Sequence, residues 1–162
     1  MAANVVVSAL RALAQQRLTE SQLWRRLERK GFSDEEIRRA VEVCKADGYI
    51  DDCLFAHLYV EQKRKAVGDL RLVGELVKRG ITRDAALDAL RRSQSTQDQR
   101  CDAALQAVLR KNNSINYPAA ARALERLGFP SSLIYRKLRE HAQKHGPFSS
   151  LATEFAGSGS AD

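Results

Sequence analysis

Two carboxylates stand side by side at Asp51 and Asp52, the arrangement that an acid–base pair or a divalent-metal site would use. The same positions also suit the start of a helix. Asp51 falls where an N-cap belongs, and Asp52 falls in the first turn, where the helix dipole favours negative charge. The capping reading is the simpler one, and it needs no ligand. His141 and His145 are spaced i, i+4, a metal-ligand spacing, but no Glu completes an HExxH motif and no third ligand lies nearby, so a solvent-facing pair is expected. His57 stands alone. Cys44, Cys53 and Cys101 form no CxxC pair and leave an odd thiol, which argues against a disulfide framework. Neither a nucleophile constellation, a Walker loop nor a GxGxxG run occurs. The sequence therefore predicts no catalytic residues, no metal and no cofactor.

The remaining chemistry is cationic. Arg25, Arg26, Arg29 and Lys30 cover one helical face, Lys63, Arg64 and Lys65 run consecutively, and Lys78 and Arg79 match Arg29 and Lys30 in register. Cations at a helix C-terminus are favoured by its dipole, so part of this pattern is structural. The rest would contact phosphates or an acidic protein surface. The candidate contacts are Arg25, Arg26, Lys30, Lys63, Arg64, Lys65, Lys78 and Arg79. Trp24, among these arginines, reads as a packing residue.

The elements that must carry these groups follow from an internal repeat. Leu27, Leu76 and Leu124 each precede a glycine by four residues, at Gly31, Gly80 and Gly128. Leu23, Leu72 and Ala120 lie eight before the glycine, and Ile37, Ala86 and Ile134 lie six after it. Each glycine supplies the left-handed residue that ends a helix. Thr19 with Gln22, and Ser33 with Glu36, then form capping boxes, with Leu18–Leu23 and Phe32–Ile37 as staples. Thr82 caps the equivalent later helix, Pro118 suits a first helical turn, and Pro130 replaces the cap of the last. Val6, Leu10 and Leu13 mark the first helix; Leu54, Phe55, Leu58 and Tyr59 are expected to form the buried face of the fourth. Residues 93–99 are polar and read as a connector, and residues 112–116 as a loop.

The fold class predicted is all-α, an elongated curved stack of three tandem three-helix repeats at 1–48, 49–96 and a divergent 97–146. A flexible tail follows at 147–162. Units this short bury too little core alone and are stabilised by stacking.

Composition agrees. The 162 residues carry 27 Lys plus Arg against 20 Asp plus Glu, a net +7 spread over all three segments rather than gathered in one arm. No apolar run is long enough to span a bilayer, and the short apolar patch before residue 8 lacks the basic segment of a signal peptide.

GYIDDCLFA (48–56), GDLRLVGELVKRGI (68–81) and LTESQLWRRLERKGF (18–32) together, in this order and spacing, resemble the RecX family. The match is strong over residues 8–92 and weak over 100–145. The resemblance implies tandem three-helix repeats and a non-enzymatic regulator of the RecA recombinase. Such a protein would bind the groove of the RecA–DNA filament and restrain ATP hydrolysis, strand exchange and coprotease activity. It implies a bacterial cytoplasmic protein, or an organellar one in a eukaryote, acting as a monomer, with weak direct DNA binding and no membrane contact. The family's signature positions here are Gly48, Asp51, Asp52, Phe55, Gly68, Glu75, Leu76 and Gly80, which read as structural. Two rival expectations stand beside it: an autonomous helical-repeat nucleic-acid-binding protein, and an enzyme using Asp51 and Asp52 with a metal.

Overall fold

A computed structural model describes residues 4–62 and 66–148. Among these residues the secondary structure is entirely helical. The helices are α1 (Val5–Gln15), α2 (Glu20–Glu28), α3 (Asp34–Ala46), α4 (Asp52–Gln62), α5 (Asp69–Lys78), α6 (Arg83–Arg91), α7 (Gln97–Lys111), α8 (Tyr117–Arg126) and α9 (Ser131–His145).

The predicted capping chemistry recurs in the structure. Thr19 and Ser33 both close capping boxes, with Gln22 and Glu36 respectively. The Ser33 bonds hold the exposed Glu36 carboxyl below its usual range. Thr82 accepts from the Ala85 N–H, and Pro118 lies in the first turn of α8. Pro130 makes no side-chain cap bond.

The glycine turns repeat bond for bond. Gly31, Gly80 and Gly128 have φ of 86°, 88° and 87°. In each turn the glycine N–H reaches the carbonyl three residues back at 2.9 Å. The next residue's N–H, from Phe32, Ile81 or Phe129, returns to Leu27, Leu76 or Leu124 at 3.1–3.4 Å. These are Schellman motifs. The leucines receiving that last bond are fully buried, as are Leu23, Leu72 and Ala120.

The chain divides into two compact units, residues 1–62 with 73–93, and residues 63–72 with 94–162. In the first, α1, α2 and α3 pack on one another around Leu23, Leu27, Ile37, Val41 and Cys44, with Trp24 half-buried against them as expected. α4 packs on α6 in the same unit. In the second, α7, α8 and α9 enclose Cys101, Leu105, Leu124, Phe129, Ile134 and Leu138.

Three sequence expectations are corrected, whereas α1 forms where Val6, Leu10 and Leu13 mark it. The buried residues of α4 are Ala56 and Val60; Leu54 is 42% exposed, and Phe55, Leu58 and Tyr59 are only partly covered. α4 is apolar almost all round, so periodicity does not choose its face. Small residues decide instead: Ala56 faces an element whose buried positions are Ala86 and Ala89. On α1 the buried residues are Ser8, Ala9 and Ala12, and Leu10 is exposed. The polar connector is shorter than residues 93–99, because Thr96 and Gln99 form a capping box that starts α7 at Gln97. The tail expected from residue 147 is anchored at its start. Phe148 is 6% exposed and meets the Tyr117 ring edge-on at 5.8 Å.

Cys44 and Cys101 are buried and Cys53 is exposed. Burial, reinforced by Asp102, pushes the Cys101 thiol up to about 11, and burial also raises Cys44. At pH 8, iodoacetamide should alkylate Cys53 of the folded chain alone. Peptide mapping should find Cys44 and Cys101 modified only after denaturation.

Candidate partner-binding surface

The adjacent carboxylates do not converge. Asp51 Oδ1 accepts the Leu54 N–H at 2.9 Å and so caps α4. Asp52 Oδ1 accepts the Glu20 N–H at 3.0 Å, thirty-two residues away. Burial pushes the Asp52 carboxyl up, opposed by that Glu20 N–H. Both oxygens thus have structural work, and no cluster of three His, Cys, Asp or Glu suited to a metal occurs among the described residues. Asp51→Ala should cost about 1 kcal/mol, the worth of a cap. A thermal melt in which Tm falls by more than about 5 °C, with helicity unchanged, would contradict simple capping.

His141 and His145 stack obliquely at 4.6 Å. The pair is not wholly solvent-facing: His141 is half-buried against Phe148 at 5.4 Å. Burial, and then His145, lower its pKa. A cleft of about 470 Å³ in the first unit is lined by Leu10, Leu13, Ala14, Arg17, Gly48 and Tyr49, with no carboxylate, thiol or imidazole in its wall.

The signature positions have the following places in the structure. Gly48 takes φ 77° at the end of α3. Phe55 stacks on Tyr59 with centroids 6.3 Å apart. Glu75 accepts the Tyr59 hydroxyl, and Leu76 is fully buried. Gly68 and Gly80 belong to two joints that sequence reasoning missed. In the first unit, the Thr19 hydroxyl donates to the Arg79 carbonyl at 2.6 Å, and a Cβ placed on Gly80 would lie 2.2 Å from that of Ser21. In the second, the Gly68 N–H donates to the Leu127 carbonyl at 2.8 Å, and a Cβ on Gly128 would lie 2.6 Å from that of Arg71. The Glu20 N–H meets Asp52 in one joint, and the Asp69 N–H meets Gln97 at 2.9 Å in the other. The joints therefore share one pattern: the start of a middle helix seats on a later glycine turn. Their signal was present in the alignment, where Thr19 and Gly68 occupy one register.

The cations divide by environment. Arg25, Lys30 and Lys78 are exposed and Arg26 is partly so. Arg79 is engaged within the first unit. Its guanidinium lies 4.6 Å from the Tyr59 centroid and bonds the Glu75 carbonyl at 2.9 Å. Arg29 similarly bonds the Arg25 carbonyl at 3.2 Å. Lys63, Arg64 and Lys65 lie outside the described residues. No described helix is long and apolar enough to cross a membrane.

Comparison with known proteins places this surface in context. A family profile described as RecX, first three-helix domain, matches residues 7–44. The regulatory protein RecX of Thermobifida fusca is 31% identical over 144 residues, covering 85% of this chain and 78% of that protein. The regulatory protein RecX of Clostridium perfringens strain SM101 is 31% identical over 83 residues, 51% of this chain; the chain spans only 39% of that relative's length. The crystal structure of RecX from Lactobacillus salivarius shares the fold at a TM-score of 0.73 and 19% identity, covering 84% of this chain and 93% of that one. Long coverage of the Thermobifida protein, together with the repeated helical turns, carries the assignment: the chain belongs to the RecX family of regulatory proteins.

Proposed function

We propose that this chain regulates the RecA recombinase, as the RecX name of its relatives suggests, by binding the RecA–DNA filament and restraining its activities. Family membership carries the reading. The exposed Arg25, Lys30 and Lys78, and the division of Asp51 and Asp52 between two backbone amides, support a binding role over a catalytic one. The three-helix repeats at 1–48, 49–96 and 97–146 would present cations to successive RecA protomers. They would compete with duplex DNA or block the changes that accompany ATP turnover. The protein acts on this reading as a monomer in the bacterial cytoplasm, without metal or cofactor.

The test is the DNA-dependent ATP hydrolysis of the cognate recombinase, titrated with this protein from far below to equal stoichiometry. Inhibition well below one molecule per protomer is expected. No inhibition, with tight and steeply salt-dependent binding to bare DNA, would replace the proposal with an autonomous nucleic-acid binder.

A further inference from the structure

The glycine turn that ends α2 has the same backbone as the two turns seated in joints. Gly31 has φ 86°, its N–H bonds the Glu28 carbonyl at 2.9 Å, and the Phe32 N–H returns to Leu27 at 3.4 Å. In the seated turns a Cβ on the glycine would collide with a helix start, and the preceding carbonyl, of Arg79 or Leu127, accepts a hydrogen bond from it. At Gly31 a Cβ would meet nothing within 4 Å. The Lys30 carbonyl receives no hydrogen bond from a described residue. Arg25, Arg29 and Lys30, at the end of α2 and in the turn itself, are exposed, and none forms an ion pair with a described residue.

We infer that this open turn is a docking seat for the N-terminus of a helix in the protein partner, one with Thr, Ser or Gly at its cap and Asp or Glu immediately after. The chain itself supplies the template for that occupant. In the seated turns the cap residue is Thr19 or Gly68, donating through its hydroxyl or its N–H, and the next residue is Glu20 or Asp69. The electrostatics fit in two ways. The positive end of the incoming helix dipole meets the Lys30 carbonyl, just past the end of α2. The partner's first-turn carboxylate lies at the end of a helix that carries Arg25, Arg29 and Lys30, opposite in charge to it. The glycine leaves room for the first turn of the incoming helix to approach closely, as Ser21 and Arg71 do in the seated turns. This inference rests on the reading that the chain acts on a protein partner.

Gly31→Asn tests it. Asn tolerates the left-handed conformation, and its side chain would project into the open seat. The variant should melt within a few degrees of the parent, whereas Gly80→Asn should lose much more, because Ser21 already fills that seat. Binding to cognate RecA filaments on single-stranded DNA should weaken at least tenfold in Gly31→Asn. Hydrogen exchange of residues 30–32 should slow when the parent binds. Equal filament binding by parent and variant would overturn the seat while leaving RecA regulation intact. If the parent itself fails to bind filaments, the RecA reading falls. A stapled helical peptide of residues 18–28 then decides: NMR shifts at residues 30–32 of the parent, absent in Gly31→Asn, keep the seat, and their absence from the parent removes it.

Discussion

Gly68→Ala should lower stability by about 2–4 kcal/mol, although it adds a single methyl group to a residue whose backbone is not left-handed. The added carbon would lie 2.1 Å from the Gly128 carbonyl oxygen, 2.2 Å from its carbon and 2.5 Å from the Phe129 nitrogen. All three are backbone atoms of a turn that its own hydrogen bonds hold, so no rotamer change relieves the clash. Separation would also break the Gly68–Leu127 bond of 2.8 Å and disturb the neighbouring Asp69–Gln97 bond of 2.9 Å. The matching control is Gly74→Ala inside α5, the helix that Gly68 precedes, where the added carbon meets nothing within 4 Å. There the change removes a helix-interior glycine and should stabilise by about 0.5–1 kcal/mol. Thermal melts should thus move in opposite directions, with Tm down by about 5–15 °C for Gly68→Ala. Hydrogen exchange should place the loss first at residues 127–129. Similar melts for both variants would show that the two backbones are not in contact as described.

What made the fold legible was local chemistry. Ser33 with Glu36 and Thr19 with Gln22 specify helix starts within four residues, and a glycine four past a buried leucine specifies an end. Neither depends on distant packing. α4 was misread because its apolar residues fall on all sides of the helix, leaving the choice of face to Ala56 and its small partners on α6. The joints were missed for a different reason. The Arg79 and Leu127 carbonyls are backbone groups that any residue supplies, and they lie about sixty residues from their donors. A sequence carries no mark of such a bond except the glycine or threonine that permits it. The candidate surface was legible as charge but not as availability. Arg79 looks equivalent to Lys30 in register, yet its guanidinium is held over Tyr59 while Lys30 stays exposed.

Lys63, Arg64 and Lys65 form the longest run of consecutive cations in the chain, which makes them the most informative to reverse. They follow the last residue of α4, Gln62, and precede α5 at Asp69. Three consecutive cations cannot all satisfy one i, i+4 helix pairing, so a purely structural account of the run is strained. Replacing the three by Glu changes the formal charge by −6, from +7 to +1. If these cations meet the filament, each reversal removes an attraction and adds a repulsion, and losses at neighbouring sites compound. Inhibition of RecA ATP hydrolysis by the triple variant should therefore fall at least a hundredfold in effective concentration, with an unchanged far-ultraviolet circular dichroism spectrum. The salt dependence should collapse alongside it, since fewer ionic contacts remain to be screened. Full inhibition by a folded triple variant would exclude these three residues as contacts. It would leave Arg25, Arg26, Lys30, Lys78 and Arg79, with the open turn at Gly31, as the candidate contacts.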